Sequence, residues 1–317
     1  MLADKVVKSS LRAAYGETLV ELGHQNPDIV VLDADLSCST QTQKFAKVFP
    51  ERFFNIGISE QDAMGVAAGL STCGKIPFVS TFAMFASGRA WEQIRNSIAY
   101  PNFNVKIVAT HGGVTVGEDG ASHQALEDIS IMRSIPHMTV IVPADSLETK
   151  EVIKFAANYQ GPVYIRIARS PIPEIFLKDD YSFDFPKANI LIEGIDVTIA
   201  ANGETVHEAL KCAKMLADKG ILAEVINVPV VKPLDSETII KSARKTGAVA
   251  IVENHSIIGG LGSAVSECLS ENCPTLIKRI GVNDQFGQSG KDTQLMVEYG
   301  LTAETFIDKV VELIKKK

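Results

Sequence analysis

The 317-residue chain, 46% hydrophobic and 22% charged, is long for one core and suits two globular domains. Its net charge of −7 and pI near 5.5 speak against a nucleic-acid face, which needs clustered Lys and Arg. No apolar run approaches the roughly 18 uncharged residues of a membrane span, so neither nucleic acid nor membrane is an expected partner.

Residues 4–24 carry Val7, Leu11, Ala14, Leu19 and Leu22 at helical spacing. Residues 28–35, DIVVLDAD, form a continuous apolar run ending in acids, the pattern of a buried parallel strand, and lead into a polar loop, LSCSTQTQ. FFNIGISEQDAMGVAAGL opens as a short strand, turns through Gly57-Ile58-Ser59-Glu60 and continues as a helix of small residues capped by Ser59. IPFVSTFAMF reads as a strand ending in Phe82 and Phe85, followed by a helix, SGRAWEQIRNSIAY. Strand 104–111 then precedes a Gly-rich loop, GGVTVGEDGASHQ, and a helix, ALEDISIMRSI. Strand 139–144, a helix with Ser146 as N-cap, and the strand PVYIRIARS close the series.

Three prolines and several acids break the rhythm at 170–190 and mark a linker. The alternation then restarts and ends in the helix TAETFIDKVVELIKKK, whose closing lysines read as a solvated end. Such alternation implies βαβ units. The expected fold class is α/β: two three-layer α/β/α domains with mostly parallel sheets, at 1–187 (linker at about 170–187) and 188–317. Five scattered cysteines form no C-x-x-C pair, and no apolar segment follows Met1-Leu2-Ala3-Asp4-Lys5, so the expected location is cytoplasmic.

Open α/β sheets bind ligands at the carboxyl edge of their strands, so residues predicted there are the candidates for chemistry. Glu60 reads as a first-turn acid at a helix start, or as a buried carboxylate able to exchange protons near neutrality. Phe82 and Phe85 read as core filler or as a stacking platform for a planar, nitrogen-containing ring. His111 and His123 flank a loop containing Glu118 and Asp119; their spacing fits no metal site on a regular element, which leaves structural, substrate-binding or catalytic roles. Arg12, Arg166 and Arg169 sit near element ends, where a surface salt bridge is the usual fate of arginine; Arg169, just beyond a buried strand, is the one best placed to hold a substrate anion. Residues 259–263, GGLGS, open a helix without a dinucleotide fingerprint, and close helix–strand packing accounts for those glycines.

Taken in order, GISEQDAMGVAAGL, VSTFAMFASGRAWEQIRNSI, THGGVTVGEDGASHQALEDISIMRSIP and VIVPAD resemble transketolase, in its pyrimidine-binding and C-terminal domains. The firm motifs run from about Arg12 to about Arg169. The resemblance implies that Glu60 hydrogen-bonds the aminopyrimidine of thiamine diphosphate, that Phe85 stacks on it, and that Phe82 lies beside it. It implies sugar hydroxyls near His111 and Asp119, the reacting carbon near His123, and a sugar phosphate held by Arg12, Ser39 and Arg169. Asp35 matches an acid near the same cleft, and Gly88 stands where some members carry a third pocket aromatic.

The family's front half carries a G-D-G…N motif for Mg²⁺ and the diphosphate, and no G-D-G occurs here. The resemblance therefore implies that Mg²⁺ or another divalent cation is bound by a partner, with no metal ligands in this chain. It implies a C-terminal subunit of a split transketolase, inert alone and completed by an N-terminal subunit in an α₂β₂ assembly that also self-associates. The expected reaction moves a two-carbon ketol unit between a ketose phosphate and an aldose phosphate. The alternatives are the back part of a 1-deoxy-D-xylulose 5-phosphate synthase, the beta subunit of a 2-oxo acid dehydrogenase, or an inactive scaffold. The G-E-D-G-x-S-H-Q stretch and the arginines disfavour the dehydrogenase, and the intact Glu60, Phe85, His111 and Asp119 disfavour the scaffold.

Overall fold

The computed structural model describes residues 7–176 and 181–317; residues 4–6 of the expected first helix and 177–180 of the expected linker lie outside the described residues. The first sheet has seven strands, ordered Val230–Lys232, Thr139–Ile141, Val163–Ile167, Lys106–Thr110, Ile76–Phe82, Ile29–Asp33 and Phe53–Asn55. All pairings are parallel except that of Val230–Lys232, an edge strand contributed by the second half of the chain. The strand Ile29–Asp33 is buried throughout, and its residues alternate between two apolar clusters: Val30 and Leu32 join one, Ile29 and Val31 the other. Cover on both faces is why these strands read as unbroken apolar runs rather than alternating ones.

The second sheet has five strands, ordered Leu276–Val282, Ala248–Ser256, Val197–Ala201, Ala223–Asn227 and Asn189–Ile192, the last antiparallel. Ile226, Ile251 and Leu261 of this half belong to the same continuous core cluster as Val30, Leu32 and Ile107 of the first. Arg166 is tied in at this junction and is not at the surface. It is buried, donates from Nε to Asp128 (3.0 Å), and from Nη2 reaches the carbonyls of Ala125 (3.2 Å) and Asn254 (2.8 Å).

Several local expectations are corrected. The first helix spans Leu11–Gln25, because Ser10 caps it by accepting from the Ala13 amide, and Lys8–Ser9 pairs instead with Ile172–Pro173. The polar stretch after residue 35 contains two short helices, Ser37–Thr40 and Gln43–Val48. They are organised by buried Asp33, which accepts from the Leu36 amide and from the hydroxyls of Thr40 and Thr42. Asp145 replaces Ser146 as cap, accepting from the Glu148 amide at 2.8 Å, while the Ser146 hydroxyl donates to Glu174. Ser59 precedes its helix, Glu60–Thr72, without a side-chain cap bond. Phe85 lies not on the strand but in a helix, Ala83–Arg89, that begins directly after Phe82. A helix at Asp292–Glu298 was not expected. No helix among the described residues is long and apolar enough to cross a membrane.

Candidate functional site

The candidates converge at one edge of the first sheet because the strand register puts them level. Phe82 pairs with Thr110, and Thr110 with Ile167, so Phe82, His111 and Arg169 leave three neighbouring strands side by side. Ser39 follows the next strand along, and Glu60 follows the edge strand Phe53–Asn55. Glu60 is 4% exposed, the first residue of a helix whose small side chains Ala63, Ala67 and Ala68 let it pack closely. Its Oε1 accepts from Arg89 Nη1 at 3.1 Å.

An aromatic strip connects Glu60 to the polar end of the site. The Phe82 and Phe85 rings stack at 5.8 Å, and the His111 ring stacks on Phe82 at 3.8 Å. His123 presents its ring edge-on to Phe85 at 5.2 Å and to Phe82 at 6.4 Å. The Arg89 guanidinium carbon stands 4.3 Å from the Phe85 centroid. The last residue of that helix, not anything at Gly88, therefore supplies the group over Phe85.

At the other end Arg12 donates from Nε to the Arg169 carbonyl (3.1 Å) and from Nη1 to the Ser39 carbonyl (2.6 Å), locking three chain segments together. Arg169 reaches the Val116 carbonyl and the Glu118 carboxylate. Burial pushes the His111 imidazolium pKa down to about 3, helped by the positive fields of Arg12, Arg169 and His123, so the ring is neutral at physiological pH. Burial and Arg169 likewise lower the Arg12 pKa. A neutral imidazole beside two guanidinium groups suits a bound anion with hydroxyls next to it. Asp119 is exposed at the end of the turn Val114–Asp119, and exposed Asp35 accepts from Asn55 at 2.9 Å.

Residues outside the expected set hold this edge in shape. Gln124, buried, donates from Nε2 to the carbonyls of Val114 (3.1 Å) and Gly117 (3.4 Å), and across to Gln288 of the second half (3.0 Å). Asn254 accepts from the Val114 amide at 2.9 Å and bonds Glu204, which also accepts from Thr115. Gly120 has φ +74, and a Cβ there would meet the Ser289 hydroxyl at 2.5 Å, so glycine is required twice over. Among the described residues no group of three His, Cys, Asp or Glu side chains is placed to hold a metal ion.

The sequence matches the transketolase pyrimidine binding domain over residues 7–174 and the transketolase C-terminal domain over 186–305. It is 53% identical to a putative transketolase C-terminal section of Methanocaldococcus jannaschii, over 98% of each chain. It is 44% identical to a 6-deoxy-6-sulfo-D-fructose transketolase subunit of Clostridium sp., over 99% of this chain and 97% of that one. A solved split-gene transketolase, an inactive β4 tetramer, superposes with a TM-score of 0.90 at 56% identity, over 96% of this chain and 98% of that one. The chain belongs to the transketolase family and carries its pyrimidine-binding domain followed by its C-terminal domain.

Proposed function

We propose that this chain is the C-terminal subunit of a thiamine-diphosphate-dependent transketolase, which moves a two-carbon ketol unit from a ketose phosphate to an aldose phosphate after joining an N-terminal subunit. The observation that carries the reading is the strip from buried Glu60, across Arg89 to Phe85, Phe82 and His123, and on to His111, Arg12 and Arg169. One end suits a planar nitrogen ring and the other a phosphate. The fit to the ring is supported directly: a planar, N–H-bearing guanidinium already lies over Phe85 and bonds Glu60.

Thiamine diphosphate, when bound, supplies the carbon nucleophile and the electron sink. This chain's residues would do the rest. Glu60 holds the aminopyrimidine edge and exchanges a proton with its ring nitrogen. Phe85 and Phe82 stack with the ring. His123 would act beside the reacting carbon, and His111 and Asp119 would hold sugar hydroxyls. Arg12, Ser39 and Arg169 hold the phosphate. Mg²⁺ or a similar cation, with the diphosphate, belongs to the N-terminal subunit. The assembly we infer is α₂β₂; a partner over the Glu60 face is supported by exposed apolar Ile58, which lines a cleft with Glu60 and Arg89, and by exposed Trp91, two residues after Arg89. The five unpaired thiols favour a cytoplasmic setting.

The test is reconstitution with an N-terminal subunit carrying G-D-G, assayed with xylulose 5-phosphate plus ribose 5-phosphate and with pyruvate plus glyceraldehyde 3-phosphate. Turnover of the first pair alone is expected. Glu60→Ala should lower kcat by about 10²–10⁴, the range for a lost general acid–base group. Near-normal turnover of that variant would remove Glu60 from its role, and activity only with pyruvate would overturn the ketol-transfer reading.

A further inference from the structure

We propose that Arg89 is a built-in stand-in for the cofactor ring: it closes the pyrimidine slot in the unloaded subunit and must swing out when thiamine diphosphate enters. The inference rests on the cofactor assignment above and concerns a residue to which that assignment gives no part.

Three observations meet at this side chain. Its guanidinium donates to the one buried carboxylate in the slot, at 3.1 Å, and its central carbon lies 4.3 Å from the Phe85 centroid. Glu60 is 4% exposed while the Arg89 side chain is 53% exposed, so the acceptor is fixed and the donor is free to move. Arg89 is also the last residue of its helix, with Ala90 outside helical geometry, and it lines an open cleft of about 580 Å³ together with Glu60 and Asp62.

A guanidinium is planar, weakly hydrated and rich in N–H donors, so it stacks on aromatic faces and pairs with carboxylates. Those are the two contacts an aminopyrimidine would make with Phe85 and Glu60. One carboxylate edge and one ring face cannot serve both occupants in the same place. Loading is therefore an exchange, and exposed Asp62, which lines the same cleft, offers the displaced arginine a second carboxylate. With Arg89 in place, Glu60 keeps a donor and Phe85 a cover until the complex is ready.

The test is calorimetric titration of thiamine diphosphate, with Mg²⁺, into the complex of this chain with its N-terminal subunit. An exposed ion pair plus a cation–π contact is worth roughly a five- to twentyfold change in affinity. Arg89→Ala is expected to bind the cofactor tighter by that factor, and Arg89→Lys, which keeps the charge but loses the planar stack, to fall between. Trp91, the single tryptophan, reports the same event through its fluorescence, which should respond to cofactor in the wild type and much less in Arg89→Ala. Equal or weaker binding by both variants, with a wild type that binds normally, overturns the stand-in and leaves the cofactor assignment intact. A wild-type complex that binds no thiamine diphosphate overturns both.

Discussion

Glu148 offers a pH signature that the fold makes specific. It lies fully buried in the helix Ser146–Asn158, where Oε1 accepts from the Tyr181 hydroxyl (2.5 Å) and Asn227 Nδ2 (2.8 Å), and Oε2 from the Ala144 amide (2.6 Å). Burial outweighs these donors and lifts its pKa from the ordinary 4.5 to about 7. A raised pKa means the folded state holds a proton that the unfolded state has released between those two values. The stability Glu148 contributes is therefore full below pH 4.5 and is lost as the pH rises through 7. At about 1.4 kcal/mol per pKa unit, the loss is about 3 kcal/mol. Glu148→Gln has no proton to lose; its NH2, a donor that cannot accept from the Ala144 amide, costs stability by an amount that does not vary with pH. Urea unfolding of both proteins between pH 4 and pH 8 should show the wild type the more stable at the acid end. The variant should gain about 3 kcal/mol on the wild type by pH 8. His111 works with the opposite sign, its lowered pKa costing stability as the pH falls below 6.5, but it is common to both proteins and cancels in the difference. A difference that stays flat with pH would refute the burial argument.

Two further outcomes follow from the junction between the halves. Asp128→Ala strands the buried Arg166 guanidinium and the Tyr164 hydroxyl, which donates to the same carboxylate. Denaturation should show a loss of about 3–5 kcal/mol, larger than that of Asp128→Leu combined with Arg166→Met, which leaves no uncompensated buried charge. Gly287→Ala places a methyl against Gln124 Oε1 and expels that side chain from its three carbonyls. In the reconstituted complex, steady-state kinetics should show KM for the sugar phosphate rising roughly tenfold through misplacement of the 113–124 loop. Thiamine diphosphate affinity should hold, because Glu60 and Phe85 sit on other elements.

What could be read before the structure followed from the strands. An apolar run buried on both faces announces itself without a partner, and whatever follows it lies at the carboxyl edge. Glu60, Phe82, His111 and Arg169 were legible for that reason. Arg89, Asn254 and Gln124 were not, because their partners lie 29, 140 and 164 residues away and no local pattern couples such positions. Arg166 misled for the same cause: one residue from the end of a strand it reads as a surface cation, yet Asp128, 38 residues away, and Asn254 of the other half, 88 residues away, bind it in the interior. Asp33 failed differently. As the last residue of an apolar run it counts toward the strand, yet its carboxylate turns back to fold the Ser39 segment into two helices.

These long-range ties assign the second half a part in the chemistry without giving it a reacting group. The 113–124 loop contains three glycines at positive φ, Gly113, Gly117 and Gly120, and by itself has little to hold it in one conformation. Its amide at Val114 is fixed by Asn254, its carbonyls by Gln124, and Gln124 in turn by Gln288. The glycines that loosen the loop are the same ones that let the second half approach, since a side chain at Gly113 or Gly120 would collide with Asn254 or Ser289. His123 and Asp119 thus ride on backbone shaped from behind by the C-terminal domain. Glu60 sits at the opposite end of the strip, buried, with its Oε1 accepting from the half-exposed Arg89. Under the proposed function, the end of the strip that would hold substrate is shaped by the two halves of this polypeptide, and the cofactor end would be completed by assembly.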